Sequence, residues 1–573
     1  MKRMALATFL LPVVLTMNSA SQVAPQHASP GKFRASSELV LVPVVIHKNG
    51  AHVSGLTKED FVLLSDGARQ EIAVFEEIHA ALPAAKSANN SMEFTNSRTT
   101  RNAERLTIIA IDLVNTASLD QAYLKQEMLK FLNDASQSNE PVALIAITTA
   151  GIHVLQDFTT DRTIIASAVR KTGAVPNGRE PGQTGTTFLD QTPCALSNSG
   201  CGGGSGDTVK QAMRDLAAWE DLYKNAEPYE IFRDRNSRLD TLSTLQQIAQ
   251  WLSGFPGRKT LVWAGSGIQW FGGMTRTMVG FARTMDYTTF DTRYAGQAAD
   301  ANYYTFRVLS AANVAVYPVD ARHGANTSFA MYDVSRPDAP IGDGAFAAQK
   351  GRVQNDDQER ITMFQQIAAT TGGKPCFNRT DLANCLKESA ADSHDYYMLG
   401  FYVGKATKPG WHTIALKSDQ KADLRFRNGF IFSSQDPEKA RLTDLQLAMI
   451  SPLPYTALEI SGRFAQMEEK GGKKTAHFEL DLPPQALYLG EQNDKLNFDV
   501  VAVARGTDGK EVAKFAQRID KKLQPQQAEV IRSQGLHYTN KLDLPPGDYG
   551  VWFVIRDNVG GRTGSVTTTL VIK

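Results

Sequence analysis

The stretch Arg105-Leu-Thr-Ile-Ile-Ala-Ile-Asp112 constrains this chain more than any other. It is a continuous apolar run that stops at an acid and a polar cluster, Leu113-Val-Asn-Thr116. An apolar run without alternation fits a strand buried on both faces, as in the centre of a parallel sheet. In open α/β sheets ligands bind beyond the carboxyl ends of such strands, so Asp112 stands where a ligand or metal would sit.

The neighbouring segments extend the pattern. Strand-like runs at Pro141–Ile147, Lys259–Ala264 and Asn313–Val319 alternate with helical periodicities, such as Leu124, Met128 and Phe131, or Leu242, Leu245, Ala249 and Leu252. This order predicts an α/β fold over 105–392, a doubly wound and mostly parallel sheet of the A-domain or Rossmann-like type. Two long excursions interrupt it. Residues 191–238 carry a Gly-rich tip (Gly200 to Gly206), and 322–356 are rich in Gly, Asp and Asn. Both are open to a functional reading and to a reading as plain surface loops.

The flanks read as β. Residues 36–79 hold strand patterns around the turn signals Asn49-Gly50 and Asp66-Gly67, and 80–104 read as a linker. Residues 394–432 form a second β element, expected to pack with 36–79 because neither set is a complete sheet alone. Residues 435–450 are a connector. Residues 455–573 repeat strands between turns and predict a C-terminal all-β, immunoglobulin-like sandwich.

Residues 1–20 read as an export signal, with Lys2 and Arg3, an apolar centre from Ala5 to Leu15 and a small-residue end at Ser19-Ala20. No later segment has the apolar length of a membrane span, so an exported chain, periplasmic or extracellular, is expected. The formal net charge of +1 gives no reason to expect a nucleic-acid partner. The four cysteines fall into two close pairs, Cys194/Cys201 and Cys376/Cys385. Local disulfides suit an oxidising compartment, and neither pair has the Cys-x-x-Cys spacing of zinc sites.

Several motifs in order resemble the von Willebrand factor A-related proteins of acidobacteria. They are Val53-Ser-Gly-Leu-Thr-Lys-Glu-Asp-Phe61, Asp112-Leu-Val-Asn-Thr116, Pro256-Gly-Arg-Lys-Thr-Leu-Val-Trp263, Ala312–Arg322 and Asp395-Tyr-Tyr-Met-Leu-Gly-Phe-Tyr402. The resemblance spans roughly 36–432. It implies a role in protein interaction or adhesion and a metal-dependent adhesion site, for which Mg²⁺ is the expected cation. Carried over by position, the ligands are Asp112, Asn115, Thr116 and Thr186. The pattern is degenerate. Val114 stands where a serine belongs, and Ala264-Gly-Ser-Gly267 replaces the final acid. The alternative is that Asp112 binds backbone amides at the strand end.

Other constellations weigh less. Ser266 lacks the glycine two residues earlier that a nucleophile elbow requires. Gly200 to Gly206 lacks a following Gly-Lys-Ser/Thr, and the histidines form no His-Glu-x-x-His pair. Asp320 is placed to bond Arg322 or loop amides. Trp270 and Phe271 are candidate partner anchors. The resulting expectation is a non-enzymatic interaction protein with an unidentified protein partner. The rivals are a structural envelope component without ligand binding and a hydrolase working from the long loops.

Overall fold

A computed structural model describes residues 39–49, 51–79, 93–96, 105–134, 140–149, 151–172, 239–267, 301–302, 304–322, 358, 360–379, 381–392, 394–404, 407–432, 437–470, 473–484, 486–490, 492 and 494–572. The proposed export signal, Thr186, the Cys194/Cys201 pair, Trp270, Phe271 and nearly all of both long excursions lie outside these residues.

The apolar runs form one five-stranded sheet, in the order Val314–Asp320, Lys259–Gly265, Leu106–Asp112, Val142–Thr148, Gly151–Thr159. The first four strands are parallel, and the last returns antiparallel at the edge. All seven residues of each of the three strands from Val314–Asp320 to Leu106–Asp112 are buried. Alternate side chains feed two apolar clusters. Ile108, Ala110, Leu261 and Val316 meet Trp251, Leu252 and Phe364 on one face. Ile109, Ile111, Val262 and Ala315 meet Leu124, Met128, Phe131 and Leu386 on the other. The Ser118–Asp134 and Leu382–Ala391 helices supply the second set. A disulfide joins Cys376 to Cys385, tying a short bridge beside Val319 to the Leu382–Ala391 helix.

Strands from both sides of this region in sequence pair with each other. Leu39–Lys48 lies between Asp395–Tyr402 and Asp423–Arg425, and Asp395–Tyr402 also pairs with Val74–His79. A second sheet of Gly429–Phe432, Gly410–Ser418, Phe61–Ser65 and Ala68–Arg69 faces it. Val42, Val44, Phe61, Leu63, Tyr397, Leu399 and Phe430 fill the space between.

The C-terminal region is built from two more four-stranded sheets. One is Leu536–Leu544, Lys473–Leu482, Ser461–Lys470 and Glu93–Thr95; the other is Glu511–Lys522, Lys495–Gly506, Gly547–Asp557 and Arg562–Ile572. Within the range read as linker, Glu93–Thr95 is therefore an edge strand of a sheet otherwise built from residues after 460. The connector range holds the Pro437–Ile450 helix. Its Leu445 and Ala448 pack on Val501, Val503 and Val554.

The expected fold class, α/β with a doubly wound and mostly parallel sheet, does not hold. Among the described residues strand outweighs helix, four of the five sheets are wholly antiparallel, and the one sheet with parallel pairs is mixed. The physical reason lies in signal strength. Fully apolar strands with helices between them stand out in a sequence. Antiparallel strands with an exposed face are quieter, yet antiparallel sheets outside the mixed one hold most of the strand residues described.

Candidate functional site

The carboxyl ends of the mixed sheet form a rim. Gly265 is in register with Asp320, and Asp112 is the last residue of the adjoining strand. The main chain crosses the rim through Ala321, whose N–H donates to the Gly265 carbonyl at 3.0 Å.

Asp112 is fully buried. Its Oδ1 accepts the backbone N–H groups of Val114 (3.1 Å) and Asn115 (3.0 Å). Its Oδ2 accepts Asn115 Nδ2 (2.7 Å) and Trp263 Nε1 (3.2 Å). Burial pushes its pKa above the ordinary carboxylate value, and the donors from Asn115, Trp263 and Val114 pull it back. Asn115 Nδ2 also donates to Thr241 Oγ1 at 2.9 Å, which brings the start of the 239–252 helix to the rim. Thr116 Oγ1 donates to the Asp112 carbonyl (2.5 Å) and accepts the Ser266 N–H (3.1 Å). Gly265 makes this closure possible. A Cβ there would lie 2.7 Å from the Asp112 Cβ and 3.1 Å from Thr116 Oγ1.

The structure thus brings Asp112, Asn115 and Thr116 together. As arranged, these three do not fit a hard cation. Mg²⁺ draws on several oxygen lone pairs at about 2.0–2.1 Å in near-octahedral geometry. Each carboxylate oxygen of Asp112 already accepts two N–H groups, Asn115 turns its amide nitrogen toward the acid, and the Thr116 hydroxyl is used in both directions. No group of three or more His, Cys, Asp or Glu side chains suited to a metal occurs among the described residues. The backbone-amide alternative describes the contacts that Asp112 makes.

Asp320 is held by Arg322. Its Oδ1 accepts the Arg322 backbone N–H (3.1 Å) and Nε (2.9 Å), and its Oδ2 accepts Nη2 (2.6 Å). Ser266 is buried beside Thr116, and its hydroxyl has no hydrogen-bond partner among the described residues. Tyr396, Tyr397 and Phe401 are core residues, whereas Tyr402 is 55% exposed.

Sequence reasoning missed the polar groups at the opposite end of the sheet. Arg258 is buried and donates through Nη1 to the Asp392 carbonyl (2.9 Å), and through Nη2 to Tyr317 Oη (2.9 Å) and the Gly372 carbonyl (2.6 Å). Its backbone N–H donates to Tyr396 Oη at 3.0 Å. Tyr317 Oη donates to Asp392 Oδ2 at 2.9 Å, and Arg425 Nη1 reaches Asp392 Oδ1 at 2.6 Å. This network joins the mixed sheet to the strands bearing Tyr396 and Arg425. Next to it, Lys259 is buried with its Nζ donating to the Phe255 carbonyl at 2.9 Å. Burial pushes its pKa down to about 7. The available signal was two adjacent basic residues opening an apolar run, a poor match for a solvent-facing start.

No protein-family model matches the chain, and no curated protein matches it. Among solved structures, a glycosyl hydrolase family 2 member from Bacteroides cellulosilyticus DSM 14838 is 9% identical, covering 31% of this chain and 20% of that one at a TM-score of 0.15. A Bacteroides uniformis beta-glucuronidase is 9% identical, covering 31% of this chain and 19% of that one at 0.14. The chain spans about a fifth of the length of these structures. At such scores the likeness carries no argument about fold or activity.

Proposed function

We propose that this chain is an exported, non-enzymatic interaction protein that holds a protein partner at the carboxyl-end rim of its mixed sheet. One observation carries the reading. The ends of the adjacent Lys259–Gly265 and Val314–Asp320 strands stand side by side at the rim, and the 268–300 and 323–357 segments follow them closely in sequence. The 239–252 helix, which follows 173–238 in sequence, meets the rim through Thr241, bonded to Asn115. Three long stretches of sequence are therefore joined to one rigid edge. A rigid scaffold that positions variable connections is the usual arrangement of a binding face. The rim residues are locked by internal hydrogen bonds, so they serve as the foundation of such a face, and contact with the partner falls to the excursions.

Export is supported by the composition of residues 1–20 and by the Cys376–Cys385 disulfide, which suits an oxidising compartment. No described helix is long and apolar enough to cross a membrane.

The test is cross-linking of the intact protein to its partner in envelope extract, with cross-link positions read by mass spectrometry. The reading expects cross-links on 173–238, 268–300 and 323–357. It also expects at least a tenfold loss of capture when Trp270→Ala and Phe271→Ala are combined with a shortened 323–357 segment. Cross-links confined to the two β regions, with capture unchanged in that variant, would refute it.

A further inference from the structure

A second site lies in the C-terminal sheets, away from the rim. Ser461–Lys470 is ten residues long, and among the described residues its outer edge is paired at Ser461, Gly462 and Arg463, to Thr95, Phe94 and Glu93. This short pairing is reinforced by two side-chain devices.

The first is an aromatic slot. Phe94 is buried and stacks on Phe553 with ring centroids 5.0 Å apart and planes 3° from parallel; Phe464 lies 5.7 Å away. Gly462 forms the floor of the slot. A Cβ there would lie 2.6 Å from the Phe94 ring and 2.6 Å from the Glu479 carbonyl. The second is an amide clamp. Asn96 Nδ2 donates to the carbonyls of Tyr455 (2.7 Å) and Leu458 (2.8 Å), and its Oδ1 accepts the Ile460 N–H (2.8 Å). Its backbone N–H donates to the Ile460 carbonyl (3.1 Å), which also accepts Thr95 Oγ1 (2.9 Å). Ordinary strand pairing needs only backbone. Here the sheet reads side chains as well, an aromatic and, two residues on, an asparagine. Pockets for alternate side chains beside a sheet edge are how strand-addition sites gain specificity.

We propose that this edge is a strand-acceptor site, filled in cis by Glu93–Asn96 and able to take the same four residues from a second copy of this chain. The occupant is already seated in the structure, and a second copy carries identical chemistry. The segment enters this sheet from more than 360 residues upstream, so its place there rests on the slot and clamp rather than on a short hairpin. A tethered strand enjoys an effective concentration of roughly millimolar, so exchange in trans is rare in dilute solution and grows where copies are crowded. The site is independent of the rim proposed above and stands or falls separately.

Two experiments on the full chain test it. Thr95 and Ser461 are register partners, so a Thr95→Cys copy is mixed with a Ser461→Cys copy under mild oxidation. The expected result is a covalent heterodimer on non-reducing gels, at least tenfold above either copy alone and suppressed by an excess of the 91–98 peptide. Heterodimer no greater than in the single-variant controls would overturn the proposal. In the second, labelled 91–98 peptide is titrated into a chain carrying Phe94→Ala and Asn96→Ala, where the slot is empty. Binding at least tenfold tighter than to the wild-type chain is expected, with loss of binding when the peptide itself carries either alanine. Equal binding to both chains overturns the proposal. Should the double variant fail to fold, the cysteine-trapping result alone decides.

Discussion

The central strands of the mixed sheet and the outer strands of the C-terminal sheets handle charge in opposite ways. In the mixed sheet the central strands are buried from end to end, so side chains along their length have no wet face. Charged groups are pushed to the strand ends, and even there Asp112, Asp320, Arg258 and Lys259 are buried. In the C-terminal region Glu511–Lys522 alternates exposed and half-buried residues along its whole length, and its charges face water. The main core lies on one side, where Phe478, Phe498, Val500 and Phe553 meet, and the Pro437–Ile450 helix covers Val501, Val503 and Val554 on the other. A charged group at the mixed sheet's strand ends therefore depends on named internal partners, as do the buried Asp499, Arg556 and Asp557 of the C-terminal region, whereas one on the outer strands there depends mostly on solvent.

The largest expected effect follows from this at Asp112. Replacing it by alanine leaves the N–H groups of Val114 and Asn115, Asn115 Nδ2 and Trp263 Nε1 without their acceptor in a buried site. Unmade buried hydrogen bonds cost about 1–3 kcal/mol each, and neighbouring losses do not add fully. Asp112→Ala should lower stability by on the order of 4 kcal/mol. Hydrogen exchange should show the loss in the Leu106–Asp112 and Lys259–Gly265 strands and not in the C-terminal sheets. A loss below about 1 kcal/mol in urea titration would mean that the acid is not the hub its contacts describe.

The contrast also explains what could be read in the sequence. Continuous apolar runs announced the three central strands, and Asp112 was visible because a charge ended one of them. The partners of Asp112 were less visible. Trp263 and Thr241 arrive from over a hundred residues away, and only packing brings them to the acid. Position-by-position resemblance suggested oxygen ligands at Asn115 and Thr116, but orientation decides, and both side chains are turned to internal hydrogen bonds. The Glu93–Thr95 strand was illegible for another reason. A polar, Ser- and Asn-rich setting looks like a linker, and three residues are too few to show periodicity. Its identity as a strand is set by a slot built more than 360 residues downstream. The weight of antiparallel sheet in the fold was underestimated because alternating strands carry half the apolar signal of buried ones.

Lys259 offers the next largest effect, and with the opposite sign. Its pKa is about 7 in the folded chain against an ordinary value of 10.5, so between these limits the unfolded chain holds a proton that the folded chain lacks. Stability should therefore rise with pH through this window, by at most about 1.4 kcal/mol per pH unit, and be lowest below pH 7. Lys259→Met removes the charge and keeps the volume, while giving up the bond to the Phe255 carbonyl. The variant should be more stable than wild type at pH 6 by on the order of 2 kcal/mol and should lose the rise between pH 7 and pH 10. Urea midpoints at pH 6, 8 and 10 make the comparison. Parallel curves for the two proteins would show that Lys259 reaches water and that this end of the sheet is wetter than its burial implies.

The smallest effect belongs to the wet face. Arg463 and Glu479 are direct cross-strand partners, with Nε and Nη2 both 2.7 Å from Glu479 Oε2. The distances rival those inside the mixed sheet, but the Arg463 side chain is 57% exposed. Water solvates the Arg463 end and reaches the partly buried Glu479, so much of the Coulomb gain cancels and salt screens the remainder. Arg463→Ala should cost no more than about 0.5 kcal/mol, and the difference should vanish in 0.5 M NaCl. A loss above about 1 kcal/mol that survives salt would mean that short contacts at this surface bind as buried ones do. Geometry alone, not the dryness of the mixed sheet, would then account for the contrast between the two regions.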